Sequence, residues 1–264
     1  MPKKETITSL QQAKGERKIT MITAYDALFA SLFRESADMI LVGDSLNMSF
    51  KGEPDTLSIT LEQMIYHTQA VCNGAPDTFV VCDMPFGSTN TKEEALANAV
   101  KVFQQTRADA VKIEGGCERA DLVEHLTDNA IAVIGHVGLL PQSVRSEGGY
   151  KVKGRDEESF KQVMADAKAI EESGAFALVI EGVTPALGKA VTEAVKIPVI
   201  GIGAGKETDG QVLVWSDMLG FFEAFKPKFV KRYLEGAKLV KEAVGEYAKE
   251  VRSGIFPAEE HTYK

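Results

Sequence analysis

Eight short runs rich in valine and isoleucine, at 19–22, 39–42, 79–82, 110–113, 131–135, 176–180, 198–202 and, less clearly, 212–215, limit what this chain can fold into. A strand with one face in water alternates apolar and polar residues. A run that is apolar at consecutive positions is buried on both faces, as in a parallel sheet covered by helices. The segments between the runs carry helix signals. Thr60 with Gln63, and Thr91 with Glu94, have capping-box spacing, and Thr184 stands as an N-cap before Pro185. Gly74 followed by Pro76, Gly174, and Gly254 after a long amphipathic run read as helix ends. Leu61, Met64, Ile65, Thr68, Val71 and Cys72 recur at helical spacing and predict one buried face. Strand and helix so read alternate eight times, which predicts an α/β fold closed as a (β/α)8 barrel, with 6–14 as an extra N-terminal helix. An open doubly wound sheet is the second choice. A chain of 264 residues with no linker predicts one domain over 1–264.

Charge and cysteines narrow the function classes. Lys and Arg number 30 against 38 Asp and Glu, a net charge of -8 that gives no long-range attraction to phosphate backbones, so no nucleic-acid partner is expected. The polar first eighteen residues lack the apolar core of a signal peptide, and no later stretch is long enough to span a bilayer. A cytoplasmic protein without membrane contact is expected. Cys72, Cys82 and Cys117 form no CxxC pair and read as reduced thiols.

Barrel active sites lie at the carboxyl ends of strands. The second run exits through Gly43-Asp44-Ser45, the third through Asp83-Met84-Pro85, the fourth through Lys112-Ile113-Glu114 and the sixth through Glu181-Gly182. Period-two alternation puts Lys112 and Glu114 on the face opposite Val111 and Ile113; the aliphatic pair belongs against helices, so Lys112 and Glu114 point into the barrel. Four carboxylates then line one rim. Converging carboxylates repel unless a cation lies between them, and an all-oxygen set without Cys suits a hard ion such as Mg²⁺.

An Asp after a strand is more often the cap of the next helix than a ligand. Asp26, ahead of an apolar helical run, fits that role. Asp44 and Asp83 fit it less well, because a long loop or a proline follows and no helix is expected to start at once. Glu114 and Glu181 are poor caps by type. His136, placed just after the fifth strand, has two readings, a binding group at the rim or a structural hydrogen-bonding residue. His67 and His125 fall within helices and read as structural or solvent-facing. The glycines of Gly201-Ile202-Gly203-Ala204-Gly205 match neither the phosphate-binding loop nor the dinucleotide fingerprint and read as a tight barrel exit. The segment 137–155 is too long for an ordinary barrel connection and is a candidate lid or an interface loop.

The strand exits also carry a resemblance. VGDS at 42–45, DMPF at 83–86, VKIEGG at 111–116, GHVGL at 135–139, LPQS at 140–143, GGYKVKGR at 148–155, IPVIGIGAG at 197–205 and GIFPAEEHTYK at 254–264 resemble the ketopantoate hydroxymethyltransferase family from about Thr8 onward. The resemblance implies a barrel of the phosphoenolpyruvate/pyruvate type and transfer of a one-carbon unit from 5,10-methylenetetrahydrofolate to 3-methyl-2-oxobutanoate, forming 2-dehydropantoate on the route to pantothenate and coenzyme A. It further implies a Mg²⁺ site at Asp44, Asp83 and Glu114, oxo-acid contacts at Asp44, Ser45, Asp83 and Lys112, and Glu181 as catalytic base. A homo-oligomer, commonly a decamer in the family, is implied too. The resemblance assigns no folate contacts to particular residues. Two alternatives are a magnesium-dependent carbon–carbon lyase of the related barrel group, whose Lys-x-Cys-Gly-His signature is absent, and a non-catalytic 2-oxo-acid-binding paralogue.

Overall fold

The computed structural model describes residues 4–223 and 225–263. Two compact units divide the chain, Met1–Val214 and Trp215–Lys264. The first holds a closed, all-parallel barrel in the order of the sequence: β1 (Ile19–Thr23), β2 (Met39–Val42), β3 (Phe79–Asp83), β4 (Ala110–Glu114), β5 (Val133–Gly138), β6 (Ala177–Glu181), β7 (Val199–Ile202) and β8 (Gly210–Leu213), with β8 paired back to β1. Its helices are α1 (Ile7–Gln12), α2 (Ala27–Phe33), α3 (Leu46–Ser49), α4 (Leu61–Gly74), α5 (Lys92–Gln105), α6 (Ala120–Asp128), α7 (Glu157–Glu172) and α8 (Pro185–Ala194). In the second unit, α9 (Trp215–Met218) is followed by α10 (Gly236–Ser253), which ends on Gly254 at φ 72°. No described helix is long and apolar enough to cross a membrane.

Local signals account for the helices. Thr6 and Ser9 cap α1 reciprocally, as Thr60 and Gln63 cap α4. Thr91, Thr184 and Asp26 each accept the amide three residues on, so Asp26 is a cap. The six expected apolar-face positions of α4 are all buried. The barrel interior follows strand parity: Ile19, Met21, Met39, Leu41, Phe79, Val81, Ala110, Ile134, Ala177, Val179, Ile200 and Val212 form one cluster, joined by Leu10 of α1 and by Ala13 just beyond that helix. The extra helix thus belongs to this core, and a fully buried side chain such as Leu10 contributes roughly 1.5–3 kcal/mol.

Three expectations need correction. No helix separates β7 from β8; the link is only 203–209. Seven extended residues reach roughly 24 Å, enough to return along a four-residue strand without a helix. The fifth strand begins at Val133 and runs on to Gly138, so His136 lies within it. The eighth begins two residues early, at Gly210. Glycine is poor evidence for a strand in sequence, yet here it allows close packing: a Cβ on Gly135 would meet Ile170 Cγ2 at 2.2 Å, and one on Gly210 the Ile19 carbonyl oxygen at 2.4 Å. The Ile19 oxygen is backbone and cannot turn aside. Gly210→Ala is therefore expected to destabilise the barrel by about 1–3 kcal/mol in urea unfolding, and an unchanged midpoint would show that β1 and β8 tolerate separation.

Candidate active site

Along the inward faces of β3 to β6, apolar side chains at the amino end give way to ionisable ones at the carboxyl end. On β3 the series is Phe79, Val81, Asp83; on β4 it is Ala110, Lys112, Glu114; on β5, Ile134 and His136; on β6, Ala177, Val179, Glu181. Register pairs Asp83 with Lys112 and Glu114 with His136. Asp44 and Ser45 follow β2. The sequence-expected residues Asp44, Asp83, Lys112, Glu114 and Glu181 therefore meet at one mouth.

Lys112 is the hub. Its Nζ lies 2.8 Å from Asp83 Oδ1, 3.0 Å from His136 Nδ1 and 3.8 Å from Glu114 Oε1. The Asp44 amide donates to Asp83 Oδ2 at 3.2 Å. Across the imidazole, His136 Nε2 lies 3.4 Å from Glu181 Oε2. An ammonium has only donors, so its 3.0 Å contact makes Nδ1 an acceptor and leaves the proton on Nε2, facing Glu181. His136 is buried and lies between Lys112 and Glu181, which suits the structural reading.

Burial and charge oppose one another here. Burial alone would lower the Lys112 pKa, but Asp83, Glu114 and Asp44 outweigh it and push it up, so the lysine stays a cation. Asp44 is held well above the usual carboxylate range by burial, then by the charges of Asp83 and Glu114. Burial also raises Asp83 against the pull of Lys112. Glu114 goes the other way: burial is outweighed by the neighbouring His136 and Lys112, and its pKa falls. At His136, burial and Lys112 push down, and the neighbouring Glu114 and Glu181 carboxylates push up further, leaving the pKa raised. The 3.0 Å contact with Lys112 assigns the neutral tautomer, which is the form above that pKa.

Whether a cation fits can be judged from the donors. Glu114 Oε1 is buried without a hydrogen bond, and Asp83 Oδ1 is engaged by Lys112 as an ion pair rather than an aligned hydrogen bond. Three carboxylates and no thiolate form a donor set for a hard ion. Among the described residues, no three His, Cys, Asp or Glu side chains already converge on one point. The donors fit in kind, while in this state they are organised around Lys112.

One expectation about Asp44 is overturned: a helix does start at once, because α3 begins at Leu46. Asp44 nevertheless does not cap it. Its Oδ2 accepts at 2.9 Å from Nε2 of Gln142, an uncharged residue of the 137–155 segment that charge patterning does not reveal. Tyr25 was also missed; it is fully buried, with its hydroxyl 2.8 Å from Ser45 Oγ. Only their presence beside or within quoted motifs, Tyr25 before Asp26 and Gln142 in LPQS, could have drawn attention to them. His67 is structural as expected, its Nδ1 2.6 Å from the Tyr25 carbonyl oxygen.

The family model described as ketopantoate hydroxymethyltransferase matches residues 4–259. The chain is 64% identical over 260 residues to the 3-methyl-2-oxobutanoate hydroxymethyltransferase of Aliarcobacter butzleri (strain RM4018), covering 98% of this chain and 97% of that one. It is 54% identical over 261 residues to the protein of that name from Helicobacter pylori (strain P12), covering 99% and 97%. Among solved structures it resembles a phosphonopyruvate hydrolase (TM-score 0.64, 14% identity, 100% and 92% covered) and a 2,3-dimethylmalate lyase of the PEP mutase/isocitrate lyase superfamily (TM-score 0.61, 15% identity, 100% and 92% covered). At such identities the structural likeness speaks for the barrel fold alone.

Proposed function

The chain belongs to the ketopantoate hydroxymethyltransferase family, and from that premise we propose how its barrel mouth carries the reaction. It transfers a hydroxymethyl group to 3-methyl-2-oxobutanoate, a step of pantothenate biosynthesis. The one-carbon donor is methylenetetrahydrofolate. In our reading Asp44, Asp83 and Glu114 hold Mg²⁺, Asp44, Ser45, Asp83 and Lys112 contact the oxo acid, and Glu181 is the base. The observation that carries this is Lys112, a buried cation among Asp83, Glu114 and Asp44, linked to Glu181 through one imidazole.

Bound Mg²⁺ would act as a Lewis acid toward the oxo oxygen of the substrate. The chain supplies the rest. Lys112 presents a fixed positive charge where the carboxylate and the developing oxyanion must lie, among buried side chains. Ser45, held by Tyr25, offers an oriented hydroxyl. Glu181 takes the C3 proton, and at 19% side-chain exposure it is more open to an incoming substrate than Asp83 at 3% or Glu114 at 4%. The electron pair left at C3 forms the new carbon–carbon bond to the one-carbon unit; water provides the hydroxyl oxygen and tetrahydrofolate departs. Turnover of 3-methyl-2-oxobutanoate should require both methylenetetrahydrofolate and a divalent cation, each omitted in turn after chelation. Full activity in a chelated, metal-depleted assay would overturn the metal assignment.

A further inference from the structure

The connection from β5 to α7 spans 139–156 and contains one short 3-10 turn, Pro141–Ser143. Connections of this length need something to hold them. Arg145 reaches Asp55 at 2.9 Å, but the arginine side chain is 74% exposed, and such surface pairs stabilise little. Gln142 is different. Its Nε2 donates to Asp44 Oδ2 at 2.9 Å and to the Met84 carbonyl oxygen at 3.0 Å, and its backbone N–H donates to Glu114 Oε2 at 3.0 Å. Three donors of one residue thus reach acceptors at the exits of β2, β3 and β4, two of them carboxylates. Being uncharged, the glutamine orients those carboxylates without neutralising them, and it leaves Glu114 Oε1 unbonded.

We propose that Gln142 is a positioning residue: it sets the Asp44 and Glu114 carboxylates for a divalent cation, and by the same bonds latches the 139–156 connection to the barrel mouth. The cation half rests on the reading of Asp44 and Glu114 as metal ligands. The latch half rests only on the hydrogen bonds. Because one set of bonds serves both, cation binding and order in the connection are coupled, and each must affect the other equally. Partners that orient metal ligands typically alter metal affinity 10–100-fold when removed.

The test uses the full-length protein with Mg²⁺ alone as probe, combining calorimetry with amide hydrogen exchange. Gln142→Ala should weaken Mg²⁺ binding roughly 10–100-fold and accelerate exchange across 139–156 even without metal, while α4 exchanges as in the wild type, which shows that the barrel is intact. Asp44→Asn keeps a side-chain oxygen able to accept from Gln142 but loses the charge. It should bind Mg²⁺ poorly yet keep the connection protected. Wild-type exchange across 139–156 in Gln142→Ala would overturn the latch, and faster exchange with unchanged Mg²⁺ affinity would reduce Gln142 to a structural tie and overturn the positioning role. If Asp44→Asn bound Mg²⁺ like the wild type, the metal-site reading would fail instead, and the exchange arm would still decide the latch.

Discussion

Lys112→Ala is expected to destabilise the metal-free protein by about 3–5 kcal/mol, the usual cost of removing one partner from a buried ionic group. The lysine is 3% exposed and touches Asp83, His136 and Glu114; without it three carboxylates are left with no cation among them. They can escape only by taking up protons. Asp44 and Asp83 already sit above the usual carboxylate range, and loss of Lys112 raises them further and removes part of what lowers Glu114. Groups whose folded pKa exceeds the unfolded value lose stability as pH rises through the folded pKa. The deficit of Lys112→Ala should therefore be smallest in mild acid and grow toward alkaline pH. If Asp44, Asp83 and Glu114 hold a cation, Mg²⁺ should restore more stability to the variant than it adds to the wild type. Urea unfolding at several pH values, with and without Mg²⁺, measures both. A loss under 1 kcal/mol, independent of pH, would show that the carboxylates do not depend on Lys112.

Much of this site can be read from strand period alone. Asp83, Lys112 and Glu181 lie two residues beyond inward apolar positions, and Glu114 two beyond Lys112, so the parity that builds the core also aims the chemistry. Where the reading failed, tertiary contact had overruled local preference. Gly210 weakens a strand by propensity but is needed where the Ile19 carbonyl oxygen crowds in, and the eighth run was read two residues late; the fifth was ended at Gly135, although β5 runs on to Gly138. Ending β5 there hid that His136 lies on the inward face. Gln142 was illegible for another reason: its partners are 28 and 98 residues away and depend on the path of an irregular connection, which no periodicity reports. The short return from β7 to β8 also escaped, since the alternation leads one to expect a helix there.

Replacing Glu181 with glutamine should separate proton removal from binding. The substitution keeps size and shape and still places an amide oxygen near His136 Nε2, now 3.4 Å from the carboxylate, so the imidazole keeps an acceptor and Lys112 keeps its neighbours. What is lost is the capacity to accept a proton, and removal of a general base typically costs on the order of 10²–10⁴-fold in rate. The oxo acid should bind with little change while kcat falls. In deuterated water, the wild type supplied with Mg²⁺ and 3-methyl-2-oxobutanoate should exchange the C3 hydrogen without folate, because the base acts before the one-carbon unit is needed. Glu181→Gln should lose exchange and hydroxymethyl transfer together, and NMR follows both. Exchange at the wild-type rate with no product would move Glu181 to the folate step and require another base. His136 could not be that base in the tautomer set by Lys112, because its Nε2 carries a proton and cannot accept one. If both rates stayed at wild-type values, Glu181 would be only a carboxylate at a strand end, held there by the histidine beside it.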